Sequence, residues 1–354
     1  MEPPCNCEEE PPGSWYWQLK NKITKIPGSS KIAAIKFPVS ITPYYYSLIE
    51  KFDFSDPIYC MVAPQNEEIE EAMFLDPLCE DNMSPVPGLI HRYQDRALII
   101  STTLCSVYCR YCTRKRTVGI NEHIISSCEL ERIVDYLNDH PKIHDVIISG
   151  GDPLIFDTFK LEEILKAVRS VESVQIVRIG TKIPVVLPQR VDKELVNMIS
   201  KYHPVFINTH FNHPREITKE SRRACEMLVN AGIPVGNQSV LLKGVNDDKF
   251  VYEELCRKLI QMRVRPYYLF QCDLVNGVEH FRTKVSKGIE IMEHLRGRIS
   301  GLAIPQYVID APGGQGKIPL LPNYLISKTD EKVVLRNYQG KIVEYPEIKE
   351  RSNV

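Results

Sequence analysis

Cys105-Ser106-Val107-Tyr108-Cys109-Arg110-Tyr111-Cys112 sets three thiols on one short stretch, the second four residues after the first and the third three residues later. Three thiolates can bind three irons of a 4Fe-4S cluster and leave the fourth iron open to a substrate or cosubstrate, whereas a cluster that only carries electrons takes four cysteines. A three-thiol zinc site, or buried unpaired cysteines, would fit the same spacing. Immediately upstream, Ala97-Leu98-Ile99-Ile100-Ser101 is an apolar run of the buried-strand kind. Such a strand would deliver the thiol loop to the end of a sheet, where α/β folds hold their ligands.

Downstream, strand and helix patterns alternate. Leu130, Ile133, Val134 and Leu137 recur at helical spacing behind a cap at Ser126 or Ser127. Leu161, Ile164, Leu165 and Val168 repeat the stripe, as do Leu195, Met198 and Ile199, and then Leu255, Leu259 and Ile260. Strands are expected over 145–149, 174–179, 205–208, 234–242 and 266–270. About six βα units predict an α/β fold, a partial (β/α)6 barrel with its functional loops at the C-terminal ends of the strands. Pro85, Pro87 and Gly88 mark a boundary before it. This divides the chain into a mainly helical N-terminal extension over 1–85, a core over 86–328 and a tail over 329–354. In the tail, 333–336 and 341–345 read as a hairpin around Asn337 to Gly340.

With 354 residues and 43% hydrophobic content, the chain can bury a large core. A net charge of -1 gives no bulk attraction to nucleic acid or to an anionic membrane, so the expected partner is a small molecule. No stretch reads as a signal peptide or as a membrane span, which places the chain in the cytoplasm. The eleven cysteines are odd in number and scattered, which suits reduced thiols better than a disulfide framework. Cys5 and Cys7 make half a zinc site or an idle exposed pair.

Two glycine segments add chemistry. Ser149-Gly150-Gly151-Asp152-Pro153 follows the second core strand, where missing side chains let backbone groups approach a ligand, although a plain turn would read the same. Asp310-Ala311-Pro312-Gly313-Gly314-Gln315-Gly316-Lys317 is a glycine-rich loop ending in a lysine whose amine could form a Schiff base with pyridoxal phosphate. A surface loop with a solvated lysine is the alternative. A phosphate loop is excluded, because no Gly-Lys-Ser/Thr follows a strand here. Arg92 and Arg96 could hold a cofactor phosphate, with Tyr93 between them against the pyridine ring, or could form an ordinary charged lead-in.

From Val86 to about Ser327 the chain resembles the lysine 2,3-aminomutases, which are radical S-adenosylmethionine enzymes. The resemblance is carried by the cysteine loop through Arg114, Arg178-Ile179-Gly180-Thr181-Lys182-Ile183-Pro184, Asn208-Thr209-His210-Phe211-Asn212-His213-Pro214, Gly236-Asn237-Gln238-Ser239-Val240, Arg265-Pro266-Tyr267-Tyr268, Cys272-Asp273-Leu274, His280-Phe281-Arg282-Thr283 and the lysine-bearing glycine loop. It implies that Cys105, Cys109 and Cys112 bind a 4Fe-4S cluster. Ser149, Gly150, Gly151 and Asp152 match the segment that holds the amino group of S-adenosylmethionine. Lys317 matches the residue that carries pyridoxal 5'-phosphate, and Arg92, Tyr93, Arg96 and Gln238 match positions near that cofactor. Arg114 matches the arginine for the substrate carboxylate, and Asp273 and Asp310 the acids for its side-chain ammonium. His210, His213 and His280 are read as packing or hydrogen-bonding groups.

The implied reaction is the migration of the amino group of L-lysine from C2 to C3, giving β-lysine, with a reductant supplied to the cluster. A glutamate 2,3-aminomutase, a related β-lysine-forming enzyme of translation-factor modification, and a non-catalytic zinc or iron-sulfur protein are the alternatives. Gln315 departs from the all-glycine word of the family. Longer members end in a cysteine-rich segment that binds zinc between subunits, whereas no such segment precedes Val354, and Asp248 stands where they supply a further zinc cysteine. No structural zinc is therefore expected, and a homo-oligomer would be held another way.

Overall fold

The buried-strand run and the five strand patterns after it all fall in one sheet. The computed structural model describes residues 11–348, and Cys5 and Cys7 lie outside them. The sheet holds β1 (Leu89–Tyr93), β2 (Arg96–Thr102), β3 (Asp145–Gly150), β4 (Ile176–Gly180), β5 (Val205–Thr209), β6 (Val235–Leu241), β7 (Val264–Gln271), β8 (Gln306–Ala311) and β9 (Gly316–Leu320), in chain order. From β2 to β8 every neighbouring pair is parallel, while β1 and β9 run antiparallel to β2 and β8.

Six helices make the crossovers: Ser127–Asp139, Thr158–Arg169, Lys193–Ser200, Lys219–Asn230, Lys249–Gln261 and Val285–Leu295. Their apolar stripes are the buried faces; Leu130, Ile133 and Leu137 on the first, and Leu161, Ile164, Leu165 and Val168 on the second, pack on the sheet. Each fully buried Leu or Ile is worth about 1.5–3 kcal/mol, so packing rather than intrinsic propensity holds these helices. Ser126, Asp157, Asp192, Thr218 and Asp248 cap five of them by accepting backbone N–H groups in the first turn. Asp248 thus has a structural task where longer relatives were expected to supply a metal ligand.

The structure adds three features to the expected barrel. Residues 89–93, read as a lead-in, form β1. Asp310 and Lys317, read as the ends of one loop, lie within β8 and β9, leaving only the tight Pro312–Gln315 connection between strands. The tail hairpin of β11 (Lys332–Arg336) and β12 (Ile342–Pro346) gains a third strand, β10 (Leu325–Lys328), and becomes an antiparallel meander.

The N-terminal extension consists of short helices, Trp15–Lys20, Lys31–Lys36, Pro43–Tyr46 and Pro57–Val62, joined to the core through the cysteine loop. The Arg110 guanidinium is wholly buried there. It donates to both carboxylate oxygens of Glu68 at 2.7–3.1 Å and to the carbonyls of Phe37 and Pro38. Lys115 adds a second cation on Glu68 at 2.9 Å. Among the described residues no helix is long and apolar enough to cross a membrane, and the nine described cysteines form no disulfide.

Candidate active site

The loop leaving β2 is braced before it reaches its thiols. Tyr108 N–H donates to Ser40 O and Arg110 N–H to Met61 O, each at 2.9 Å, while Lys22 Nζ donates to Cys105 O at 2.8 Å. Cys105, Cys109 and Cys112 then line one cavity of about 200 Å³ together with Gly150, Gly151, Asp152, Thr181, Lys182 and His210. Burial, followed by the charges of Asp152 and the other two sulfurs, pushes the Cys105 thiol well above its ordinary range. Burial and then Cys109 push Cys112 up to about 11. Thiols in this setting need a cationic partner to become thiolates, which is what iron provides. They border one shared cavity, and three thiolates are the ligand count of a 4Fe-4S cluster with one open iron.

The glycines after β3 form the opposite wall. A Cβ on Gly150, whose φ is +121°, would stand 2.3 Å from Thr102 O, and one on Gly151 would stand 2.1 Å from Leu104 O. Only glycine lets β3 end so close to the thiol loop. Gly151 N–H donates to Thr102 O and Asp152 N–H to Leu104 O, so these amides first hold the loop in place. Asp152 is similarly committed: it accepts from Thr181 Oγ1 at 2.6 Å, Lys182 N at 2.7 Å and Leu154 N at 3.1 Å, and burial lifts it to about 6 against those bonds.

A second cavity of about 260 Å³ adjoins the first, the two sharing Arg114, Ser149, Gly180 and His210. It brings together Arg92, Tyr93, Arg96, Gln238, Asp310 and Lys317, residues from β1, β2, β6, β8 and β9. Lys317 Nζ lies 2.9 Å from Asp310 Oδ2, and Arg92 Nη1 lies 3.1 Å from Asp310 Oδ1. Lys317 N–H donates to Tyr93 Oη at 3.0 Å, tying the last strand to the first. The Arg96 guanidinium stacks 4.6 Å from the Tyr93 ring centre and pairs with Asp95. Arg92 Nε is buried without a hydrogen-bond partner, a free donor of the kind an anionic group would satisfy. In the β8–β9 connection Gly313 and Gly314 have φ of +75° and +73°, whereas Gln315 has φ of -75°, so the glutamine sits where no glycine is needed.

Arg114 reaches this cavity already engaged. Its Nε and Nη2 bond both oxygens of Glu80, at 2.9 and 2.7 Å, and Nη1 turns toward Gly150 O at 3.4 Å. Glu80 was missed in the sequence, where only the acidic run around it could have drawn notice. Asp273 does not line either cavity; it is held by Thr113 Oγ1 at 2.7 Å. Burial raises Asp273 to about 6, Thr113 opposes that, and the charge of Asp310 adds to it. His210 and His280 are both pushed down to about 4, chiefly by burial, and His213 Nδ1 accepts from Arg215 N. The His213 bond fits the hydrogen-bonding reading, whereas His280 packs its ring on Phe281, with centroids 4.2 Å apart, and leaves both ring nitrogens buried without a hydrogen-bond partner.

Over 348 residues the chain is 50% identical to an L-lysine 2,3-aminomutase of Clostridium subterminale, covering 94% of this chain and 84% of that one. The chain belongs to the lysine 2,3-aminomutase family. The family's own profile, lysine-2,3-aminomutase, matches residues 292–353, and that of the radical SAM superfamily matches 99–252. An L-lysine 2,3-aminomutase of Fusobacterium nucleatum is 47% identical, covering 97% of this chain and 84% of its own. A glutamate 2,3-aminomutase of Clostridioides difficile is 45% identical, covering 96% and 83%. Lysine 2,3-aminomutases are isomerases, and radical SAM membership brings with it a 4Fe-4S cluster and S-adenosylmethionine. The superfamily match spans the cysteine loop and the β3 glycines, the two walls of the smaller cavity.

Proposed function

We propose that the protein is an L-lysine 2,3-aminomutase that moves the amino group from C2 to C3 and yields β-lysine. The observation that carries this reading is Asp310 on the wall of the second cavity, facing Lys317 and Arg92, with Asp273 standing back from that wall on Thr113 as the second acid. A desolvated ammonium needs such acceptors. Glutamate would bring a third carboxylate beside them, a like-charge contact costing several kcal/mol. Sequence identity alone does not separate the two substrates, since relatives of both names lie at 45–50%.

In this reading Cys105, Cys109 and Cys112 hold the cluster, and the Ser149 to Asp152 segment lies beside S-adenosylmethionine. Lys317 carries pyridoxal phosphate, with Arg92, Tyr93, Arg96 and Gln238 around it. When bound, these groups supply the radical that removes hydrogen from C3 and the π-system across which nitrogen moves. The protein's part is position and exclusion of water. Lys317 Nζ must shed a proton before it can act as a nucleophile, and Asp310 Oδ2 is the acceptor within reach. Arg114, its fork fixed on one side by Glu80, presents its remaining N–H groups to the substrate carboxylate. Of the three divisions 1–85, 86–328 and 329–354, the described part of the first serves as a cover over the cluster loop and the second as the catalytic barrel. The decisive assay gives anaerobically reconstituted protein lysine labelled with 15N at C2. The label should appear at C3, and its retention at C2 in protein with a full cluster would refute the activity.

A further inference from the structure

Residues 76–83 of the N-terminal extension are bonded to three sides of the second cavity. Pro77 O accepts from Gly313 N at 2.8 Å, in the connection between β8 and β9, and Leu78 O accepts from Arg92 Nη2 on β1 at 3.0 Å. Glu80, whose side chain is 6% exposed, holds Arg114 with both carboxylate oxygens. Leu78 and Glu80 themselves line the cavity. Between them the chain turns at Cys79, whose φ of +51° lies in the left-handed region. A side chain is costly there, and such a residue persists only where its surroundings hold it. The turn lets near neighbours face two different arginines, Leu78 O on Arg92 and Glu80 on Arg114.

Arg114 borders both cavities. Its Nε and Nη2 donate to Glu80 and its Nη1 to Gly150 O, so three N–H groups are taken and one remains on each Nη. Two donors on one guanidinium suffice for a carboxylate. Glu80 does not help to attract that carboxylate. Arg116 Nη2 lies 2.9 Å from Asp81, 3.4 Å from Asp76 and 3.5 Å from Glu80, so three acids surround two guanidiniums and negative charge is in excess. What Glu80 supplies is direction. We propose that Glu80 is a positioning residue for the reaction: by filling the Nε edge of Arg114 it confines the substrate carboxylate to the two remaining Nη donors, and so sets where C2 and C3 of the substrate lie between the two cavities. The inference rests on Arg114 being the partner of the substrate carboxylate. With the Nε edge vacant, a carboxylate would take it as an equally good fork, and the substrate would bind out of place.

The test compares the native full chain with E80Q and E80D, all reconstituted anaerobically and matched for iron and pyridoxal content. Lysine binding is read from the change in pyridoxal absorbance before reductant is added, and turnover from the β-lysine formed. E80Q should bind lysine as tightly as the native chain, or up to about tenfold more tightly, because a like charge beside the carboxylate is gone. Its kcat should fall about a hundredfold, the effect of a displacement of about 1 Å. Binding of 1,5-diaminopentane, which lacks the carboxylate, should be the same in both. E80D keeps the charge but withdraws it by one methylene, and should retain roughly a tenth of the native kcat. Native kcat in E80Q overturns the proposal, and so does a weaker hold on lysine, which a merely structural role would produce. If E80Q does not assemble, native kcat in E80D overturns it. A native chain that converts no lysine at full iron and pyridoxal content overturns the function reading instead, so the native control separates the two failures.

Discussion

Asp310 and Lys317 face each other across β8 and β9 as direct register partners, with Lys317 Nζ 2.9 Å from Asp310 Oδ2. The carboxylate assigned to the substrate ammonium is thus occupied by an ammonium of the chain itself, with Arg92 on its other oxygen. Committing Lys317 to pyridoxal phosphate would remove that cation and leave Oδ2 for the substrate. Borohydride reduction of the protein with pyridoxal phosphate should fix the cofactor to the peptide containing Lys317. A label on any other lysine rejects the assignment.

Removing an acid of the pair should weaken handling of lysine. Losing one partner of a buried charge pair costs about 2–5 kcal/mol, or roughly 30- to 4,000-fold in kcat/KM. D310A should lie in that range and D273A within or just below it, since Asp273 stands back from the cavity wall. Steady-state kinetics with lysine check both, and unchanged constants in both variants would remove the acid pair from the account.

The pH profile follows from Asp273. Its pKa is raised to about 6, mainly by burial, so the folded protein holds this proton more tightly than an unfolded chain does. The associated stability is present at low pH and lost as pH rises through about 6, while the ionised form that an ammonium needs is gained over the same interval. The kcat/KM for lysine should therefore fall on the acid side of about pH 6. Asp152 is raised to about 6 as well. D273N decides between them: it should flatten the acid limb, whereas an unaltered limb would assign it to Asp152.

The patterned parts of this fold could be read directly. Period-two burial in β3 and β4 and the stripes through Leu130, Ile133, Leu137 and Leu161, Ile164, Leu165 give the six βα units, because those residues face a single continuous core. β8 and β9 were hidden: Asp310 and Lys317 are charged residues inside short strands, and Pro312, Gly313 and Gly314 between them read as loop. Glu80 was hidden for another reason. It lies 34 residues from Arg114, and only folding of the extension over the barrel mouth brings the two carboxylate oxygens onto the guanidinium. The three thiols, close together on one loop, needed no such folding to be read as a group.

The Arg110–Glu68 pair should carry much of the extension's attachment. The two side chains are 0% and 2% exposed. E68A leaves Arg110 buried without its carboxylate, and breaking a buried pair in this way costs about 3–5 kcal/mol. Urea unfolding should show that loss, with iron uptake impaired because Arg110 lies between Cys109 and Cys112, the proposed cluster ligands. Native stability in E68A would show that water or another group replaces the carboxylate.

Gly151 has no room for a methyl group, since its Cβ would meet the Leu104 backbone at 2.1 Å. G151A should push the thiol loop from the end of β3 and take up less than about half the native iron, a loss of the preorganised site rather than of a ligand. Q315G should leave iron and pyridoxal content unchanged, because Gln315 already has a right-handed backbone. Iron and pyridoxal analysis of the two purified variants checks both expectations.

The central claim is lysine selectivity in a radical aminomutase, and one measurement bears on it most directly: turnover of labelled L-lysine and L-glutamate, side by side, by protein reconstituted anaerobically with iron, sulfide, S-adenosylmethionine and pyridoxal phosphate. The acid pair predicts β-lysine as the product and a kcat/KM for lysine at least about a hundredfold above that for glutamate, the value of about 2.7 kcal/mol. Comparable turnover of glutamate, or conversion of glutamate alone, would contradict it.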